Sequence, residues 1–275
     1  MRSKISAFAF LLAALATQVV LTEPTVDFGA PIPPLPFGAE AVEKMCRSLE
    51  SEEVQVQYDA ARYFLHHGKL DKTSPAAVDC LLKAVERGAI QPVQAHAGFA
   101  LVEYGSAAVP GLMEIMGRNR ENNAYWVAVG MLNLLGPEAE LAGDEMLRIL
   151  KNGRASARER LDAADVLFKI GDPEQKSLAY RVMLEVAESA DTEASGAAAF
   201  SITRTRNLEA VRFLVRCARE NGEVGWRVMC VTELGNVAAG LREPLDSAEA
   251  LRCLKDLRDD PEELVRASVR RALDY

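Results

Sequence analysis

Five cysteines and three histidines are the residues of this chain best suited to redox, metal or nucleophilic chemistry. Their spacing limits what they can do. Cys46 and Cys80 stand 34 residues apart, Cys217 and Cys253 stand 36 apart, and Cys230 is left over. No Cys-x-x-Cys pair occurs, so neither a zinc ribbon nor a thioredoxin-type redox pair is encoded. His66 and His67 are adjacent, and adjacent residues do not share a helical face. They read as the basic end of a helix, where positive charge suits the dipole, and not as two ligands of one metal. The chain also lacks a Gly-x-Ser-x-Gly elbow, a Gly-x-x-x-x-Gly-Lys-Ser/Thr loop and a dinucleotide fingerprint. Glu52 with Glu53, and Asp259, Asp260, Glu262 and Glu263, sit where helices begin, where acids need no catalytic role. These residues predict no catalytic constellation, no cofactor and no metal, so function has to be sought on a surface.

That surface depends on the elements beneath it. Residues 156–174 read SARERLDAADVLFKIGDPE. Ala157, Leu161, Ala164, Leu167 and Phe168 fall on one helical face, while Arg158, Asp162, Asp165 and Lys169 fall on another at i, i+4, i+7 and i+11. On the polar stripe Arg158 can pair with Asp162, and Asp165 with Lys169, one turn away. Gly171 predicts a left-handed helix end, and Asp172-Pro173-Glu174 an N-cap, a first-turn proline and an acid against the next dipole. The same punctuation recurs. Helical runs close at Gly68, Gly105, Gly136, Gly171 and Gly235, in steps of 37, 31, 35 and 64 residues, the last being two periods with a glycine-free repeat ending near Thr205. A period in the thirties with two helical runs per period is a repeat signature.

AAVPGLMEIM, with Pro110 inside a first helix, and DPEELVRASVRRAL, with Asp260, Val265 and Arg266, resemble HEAT repeats. The resemblance implies an all-α, armadillo-like helical fold: a right-handed α-solenoid, or superhelix, of about seven HEAT-like helix pairs over residues 39–275. It also implies a concave side lined by the second helices. Val54 and Val93 are followed by Gln where the last repeat has Val-Arg, so an Asp/Arg ladder between repeats is expected only toward the C-terminus. Composition agrees with the helical reading: 49% of residues are apolar, 6% aromatic, and nothing alternates at period two.

Residues 1–22 differ. Arg2 and Lys4 precede an apolar run and the small-residue site Ala14-Leu15-Ala16, the order of a secretory signal peptide cleaved near Ala16, or alternatively of a short membrane anchor. An extracytoplasmic location, periplasmic or secreted, is expected. Residues 23–38 carry four prolines between 31 and 36 and predict an extended linker. Net charge is −8, and −10 once Arg2 and Lys4 are removed. Residues 17–153 hold 11 basic and 18 acidic side chains, and residues 154–275 hold 19 and 22, so no continuous basic face for nucleic acid is expected. The cysteines read as small packing residues. An alternative pairs Cys46 with Cys80 and Cys217 with Cys253 on neighbouring first helices and leaves Cys230 free.

Aligning the terminal glycines carries the polar stripe of residues 158–169 to the other second helices. It predicts a groove with apolar anchors at Phe99, Val127, Leu134 and Trp226, with Met229 beside them, and polar selectors at His96, Arg158, Asp162 and Arg270. AYWVAVGMLNLL is apolar nearly all round, which places side chains on a face normally left wet. The expected function is a non-catalytic scaffold that holds a peptide or helix of a protein partner in this groove. Burial of the face by tight curvature, or by the proline-rich segment folding back, is the competing expectation. The HEAT resemblance also implies an alternative, a tetrapyrrole (bilin) lyase or chromophore chaperone; a HEAT-like DNA glycosylase fits less well, since the stripe lacks a basic lining.

Overall fold

The computed structural model describes residue 27 and residues 38–67, 74–118, 122–189, 191–205, 209–241 and 246–274. The expected signal segment, most of the proline-rich linker and Gly68 lie outside these residues. Fourteen described α-helices follow one another with no strand among the described residues. They are α1 (Ala39–Leu49), α2 (Val54–His67), α3 (Pro75–Arg87), α4 (Gln91–Val102), α5 (Val109–Arg118), α6 (Asn123–Leu135), α7 (Gly143–Lys151), α8 (Ala157–Ile170), α9 (Pro173–Ala187), α10 (Thr192–Arg204), α11 (Glu209–Glu220), α12 (Val224–Ala238), α13 (Ser247–Asp256) and α14 (Glu263–Leu273).

Each odd-numbered helix packs on the even-numbered one that follows. The even-numbered second helices also contact one another at every step from α2 to α14, whereas the first helices do so closely at only some steps. This is an α-solenoid, built by stacking, with one continuous core in place of a central one. Small residues set the spacing. Ala61, Ala77, Ala97, Ala100, Ala124, Ala128 and Ala164 are all fully buried, so helix axes approach closely, and Phe64, Leu101, Leu112, Leu132 and Leu167 fill the layers between. Each such large side chain contributes about 1.5–3 kcal/mol over its exposed state.

The predicted stops and starts around α8 are partly met. Ser156 and Glu159 form a capping box at the start of α8, and Asp172 and Gln175 form another at the start of α9, with Pro173 in its first turn. Gly171 is extended (φ −70, ψ 163) and not left-handed. Space is what demands glycine there, since a Cβ would come within 2.7 Å of the Leu167 carbonyl oxygen. Gly235, unlike Gly171, ends no helix: α12 runs through it to Ala238, and the missing side chain admits Ala272 of α14, which a Cβ would meet at 2.8 Å.

Polar ties cross between repeats. Arg227 of α12 donates to Asp260, just ahead of α14, and both side chains are almost wholly buried. The arginine of this tie is Arg227, which follows Trp226, and not the Arg266 of the Val-Arg pair, which bonds Glu263 and the Asp260 carbonyl instead. The cysteines meet the pairing expectation at one bridge and depart from it at the other. Cys46 and Cys80 are bridged, with Cα atoms 5.5 Å apart, but Cys217 is bridged to Cys230 at a Cα separation of 6.2 Å, and Cys253 is the free, buried one. The one-period spacing of Cys217 and Cys253 gave the wrong partner because the α11–α12 turn brings Cys230 back beside Cys217 within a single repeat.

Candidate functional site

The face of the second helices shows its geometry best on α6. Asn123, Trp126, Gly130, Asn133 and Leu134 are partly exposed there, while Val127 is only 3% exposed. The expected anchor Val127 is therefore wrong, and the residue beside it, Trp126, takes the outward position. Gly98 of α4 is the physical reason: a Cβ at Gly98 would stand 2.6 Å from Val127 Cγ1, so the valine fills the gap this glycine leaves. Because α6 is apolar nearly all round, its hydrophobic pattern carries no phase, and one residue of misalignment turns the stripe by about 100°. The glycine in the preceding repeat was the available signal.

Trp126 is covered by Arg158 of α8, whose guanidinium carbon lies 4.3 Å from the ring centroid. Arg158 Nε donates to Asp162 Oδ1 at 3.1 Å, and the Tyr125 hydroxyl donates to Asp162 Oδ2 at 3.2 Å. Tyr125 itself meets the Trp126 ring edge-on, centroids 4.8 Å apart. Arg158 is thus fixed by stacking and by a charge-assisted bond. Asp162 is 6% exposed, so the expected selector is a buried support for Arg158 and not a contact residue. Burial pushes its carboxyl up to about 6, and the neighbouring Asp165 adds to this while Arg158 opposes it. Burial, with the nearby Asp162 carboxylate, also pushes the Tyr125 phenol up.

His96 is likewise 9% exposed. Its Nδ1 lies 2.7 Å from the Pro92 carbonyl oxygen, its ring meets Tyr58 edge-on at 5.0 Å, and burial holds its pKa below the usual imidazole value. It packs within the stack and does not reach a partner as a selector. Phe99, Leu134, Trp226 and Met229 are partly exposed. Arg270 is exposed, at the far end on α14, where it donates to Glu263 at 2.7 Å. The structure places Phe99 on α4, Trp126 and Leu134 on α6 and Arg158 on α8, three successive second helices, and Trp226 and Met229 on α12 and Arg270 on α14, two and three second helices further along.

A cavity of about 330 Å³ opens at the C-terminal ends of α6, α8 and α10. Its walls include Pro137, Phe168 and Met183, and its polar groups include Asn133, Asp165, Lys169, Ser201, Arg204 and Thr205. The predicted Asp165–Lys169 pair does not form. Lys169 Nζ donates instead to the Asn133 carbonyl at 2.9 Å, an otherwise unclaimed acceptor in the last turn of α6, while the Ser201 hydroxyl donates to Asp165 Oδ2 at 2.7 Å. Burial and the nearby Arg204 push Lys169 down to about 8, and burial pushes Asp165 up. Sequence reasoning placed Asp165 and Lys169 on the stripe but missed Ser201 and Arg204, since α10 lacks the terminal glycine that fixes alignment elsewhere.

At the other end of the face, Gln55 of α2 holds Asp27, a residue of the chain's own 23–38 segment, which at this one point lies against the face as the competing fold-back expectation had it. Gln55 Oε1 accepts the Asp27 backbone N–H at 2.9 Å, and Gln55 Nε2 donates to the Asp27 carbonyl at 3.5 Å and to Asp59 Oδ1 at 3.0 Å. Among the described residues no group of three or more His, Cys, Asp or Glu is placed to hold a metal ion, and no helix is long and apolar enough to cross a membrane.

No protein-family model and no curated protein matches this chain. Solved structures resemble it at low identity. A chain of the complex of CpcE and CpcF of phycocyanin lyase from Nostoc sp. PCC7120 is 20% identical, with a TM-score of 0.47, over 91% of this chain and 99% of that one. Human deoxyhypusine hydroxylase in complex with glycerol is 18% identical, with a TM-score of 0.36, over 86% of this chain and 85% of that one.

Proposed function

We propose that this chain is an exported, non-catalytic interaction scaffold whose second-helix face binds an extended peptide segment of a protein partner. In this reading the helix pairs wind as a right-handed superhelix of about seven repeats with that face on the concave side. The observation that carries it is Gln55. One side-chain amide engages both the N–H and the carbonyl of a single main-chain residue, Asp27, which is how a surface holds a peptide backbone without reading its sequence. Two second helices further on, Trp126 of α6 under Arg158, with Phe99 on α4 and Leu134 on α6, supplies the aromatic and arginine anchors on which interfaces concentrate their binding energy. Export is supported by the order of charge, apolar run and small residues at the N-terminus and by two disulfides, which persist in oxidising compartments.

The test is selection of displayed random peptides on the fragment 38–275, checked for helicity, against its Gln55→Ala and Trp126→Glu variants. Peptides enriched on the wild-type fragment and at least tenfold weaker on both variants support the scaffold. No enrichment, or equal binding to all three, rejects it. Amino-terminal sequencing of the mature protein from fractionated host cells tests export: a start near Thr17 outside the cytoplasm supports it, and a cytoplasmic chain beginning at Met1 opposes it.

A further inference from the structure

We propose that the second-helix face recognises a polyproline II segment, held by the main chain of every third residue through amide clamps at the N-terminal ends of successive second helices. This rests on the peptide-binding reading above and specifies the backbone conformation that the face selects.

The clamp at Gln55 has a counterpart one second helix further on. Where α4 and α6 begin, Gln91 Nε2 donates to Asn123 Oδ1 at 3.2 Å, and Asn123 Nδ2 donates to Gln94 Oε1. Asn123 thereby orients both glutamines. Gln91 Oε1 and Gln94 Nε2 make no hydrogen bond among the described residues, and both residues are half-buried. One acceptor and one donor are left over, one helical turn apart on α4. Those are the two kinds of group with which the Gln55 amide takes the N–H and the carbonyl of Asp27.

Spacing selects the conformation. α2 packs on α4, and Gln57 Oε1 accepts the Ala89 N–H at 3.0 Å, which ties the first turn of α2 to the entry of α4. Packed helix axes lie about 8–10 Å apart. A β-strand covers that distance in about three residues, but its period is two, so a group three residues on faces away from the helices. Polyproline II turns once in three residues and rises about 3.1 Å per residue, so equivalent main-chain groups return to one side every ~9 Å, and none is used internally. A residue held at Gln55 then brings its third neighbour to Gln91 and Gln94. The two residues between need no N–H, so proline fits there, while each clamped residue must keep its N–H. Trp126, in the first turn of α6, stands at the next step and offers an aromatic ring, the surface on which proline-rich segments dock. The residue already at Gln55 agrees in its sequence context, since Asp27 is followed by Pro31, Pro33, Pro34 and Pro36.

The test is isothermal titration of the full mature chain carrying Asp27→Pro, whose residue 27 has no N–H to occupy Gln55, with three blocked peptides. Acetyl-Ala-Pro-Pro-Ala-Pro-Pro-Ala-amide carries an N–H at every third residue of a polyproline II chain. Acetyl-Ala-Gly-Gly-Ala-Gly-Gly-Ala-amide keeps those N–H groups without the conformation, and a blocked proline heptamer keeps the conformation without the N–H groups. The first should bind saturably, at least tenfold tighter than either of the others, a comparison that needs no variant of the clamps. Its affinity should fall at least fivefold with Gln55→Ala added and again with Gln91→Ala and Gln94→Ala together, each protein checked for wild-type helicity. Absence of binding, equal affinity for the first peptide and either control, or binding unchanged by both sets of substitutions overturns the proposal. Displayed peptides that depend on Gln55 and Trp126 but carry no proline between the clamped positions would leave the scaffold standing while this proposal fails. If the display selection and the proline-containing peptide both fail, the two readings fall together.

Discussion

Arg158 lies over the indole of Trp126, its guanidinium carbon 4.3 Å from the ring centroid, and this pair ties α8 to α6 on the outward side of the second helices. The tryptophan would otherwise expose an apolar face to water, and the arginine would otherwise swing free. Stacked, each orders the other, and the buried Asp162 beneath fixes the arginine a second time.

Trp126→Glu is therefore expected to remove peptide binding by at least tenfold, the size of effect typical of a central aromatic anchor. Stability should change by less than about 1 kcal/mol, because the side chain is only partly buried. Urea denaturation alongside peptide titration separates the two. Loss of binding accompanied by gross unfolding would move Trp126 from the site to the core.

The pH dependence of Asp162 has a definite sign. Burial, with Asp165 adding and Arg158 opposing, raises its folded pKa to about 6, against about 4 for an unfolded aspartate. A carboxyl raised on folding contributes stability that is fully present below about pH 4 and lost as pH rises through about 6. Asp162→Asn removes the titration and leaves Tyr125 an acceptor. The unfolding free energy of the wild type minus that of Asp162→Asn should fall between pH 4 and pH 7, by up to about 3 kcal/mol. A difference that grows over this range would mean that the Arg158 pair outweighs burial.

Gly98 and Val127 form the contact that turned the α6 stripe. Gly98→Ala should destabilise by about 1–3 kcal/mol, since the added carbon meets Val127 Cγ1 well inside contact distance. In Val127→Ala the obstruction is gone. The double variant should then be more stable than the sum of the single losses implies, with a coupling of about 1 kcal/mol or more by chemical denaturation. Strict additivity would place the two residues out of contact.

The cysteine connectivity is open to direct mapping. Peptide mapping without reduction should yield Cys46–Cys80 and Cys217–Cys230, with Cys253 alkylated only after unfolding because it is buried. Reduction should remove about 3–4 kcal/mol per bridge by loop-entropy reasoning. Recovery of Cys217–Cys253 would refute the turn geometry between α11 and α12.

The helical period, the pairing of helices and the outward position of Arg158 were legible in the sequence because charge and glycine mark them. The rotation of α6 was not, since AYWVAVGMLNLL has no polar face to fix its phase and only the space beside Gly98 decides it. His96 and Asp162 looked like selectors for the opposite reason. Their polarity suggested water, but Pro92 in one case and Tyr125 with Arg158 in the other satisfy them within the stack. The cavity depends on Arg204 and Ser201, whose helix carries no aligning glycine, so three-dimensional packing alone brings them to Lys169.

The most direct measurement is a titration of the synthetic peptide TEPTVDFGAPIPPLPF, residues 22–37 of this chain, into the fragment 38–275 and its Gln55→Ala and Trp126→Glu variants. Saturable binding to the wild-type fragment, weakened by Gln55→Ala and abolished when an enriched library peptide competes at the Trp126 surface, is the expected result. Absence of binding, or binding indifferent to both substitutions, would contradict a peptide-holding face on the second helices.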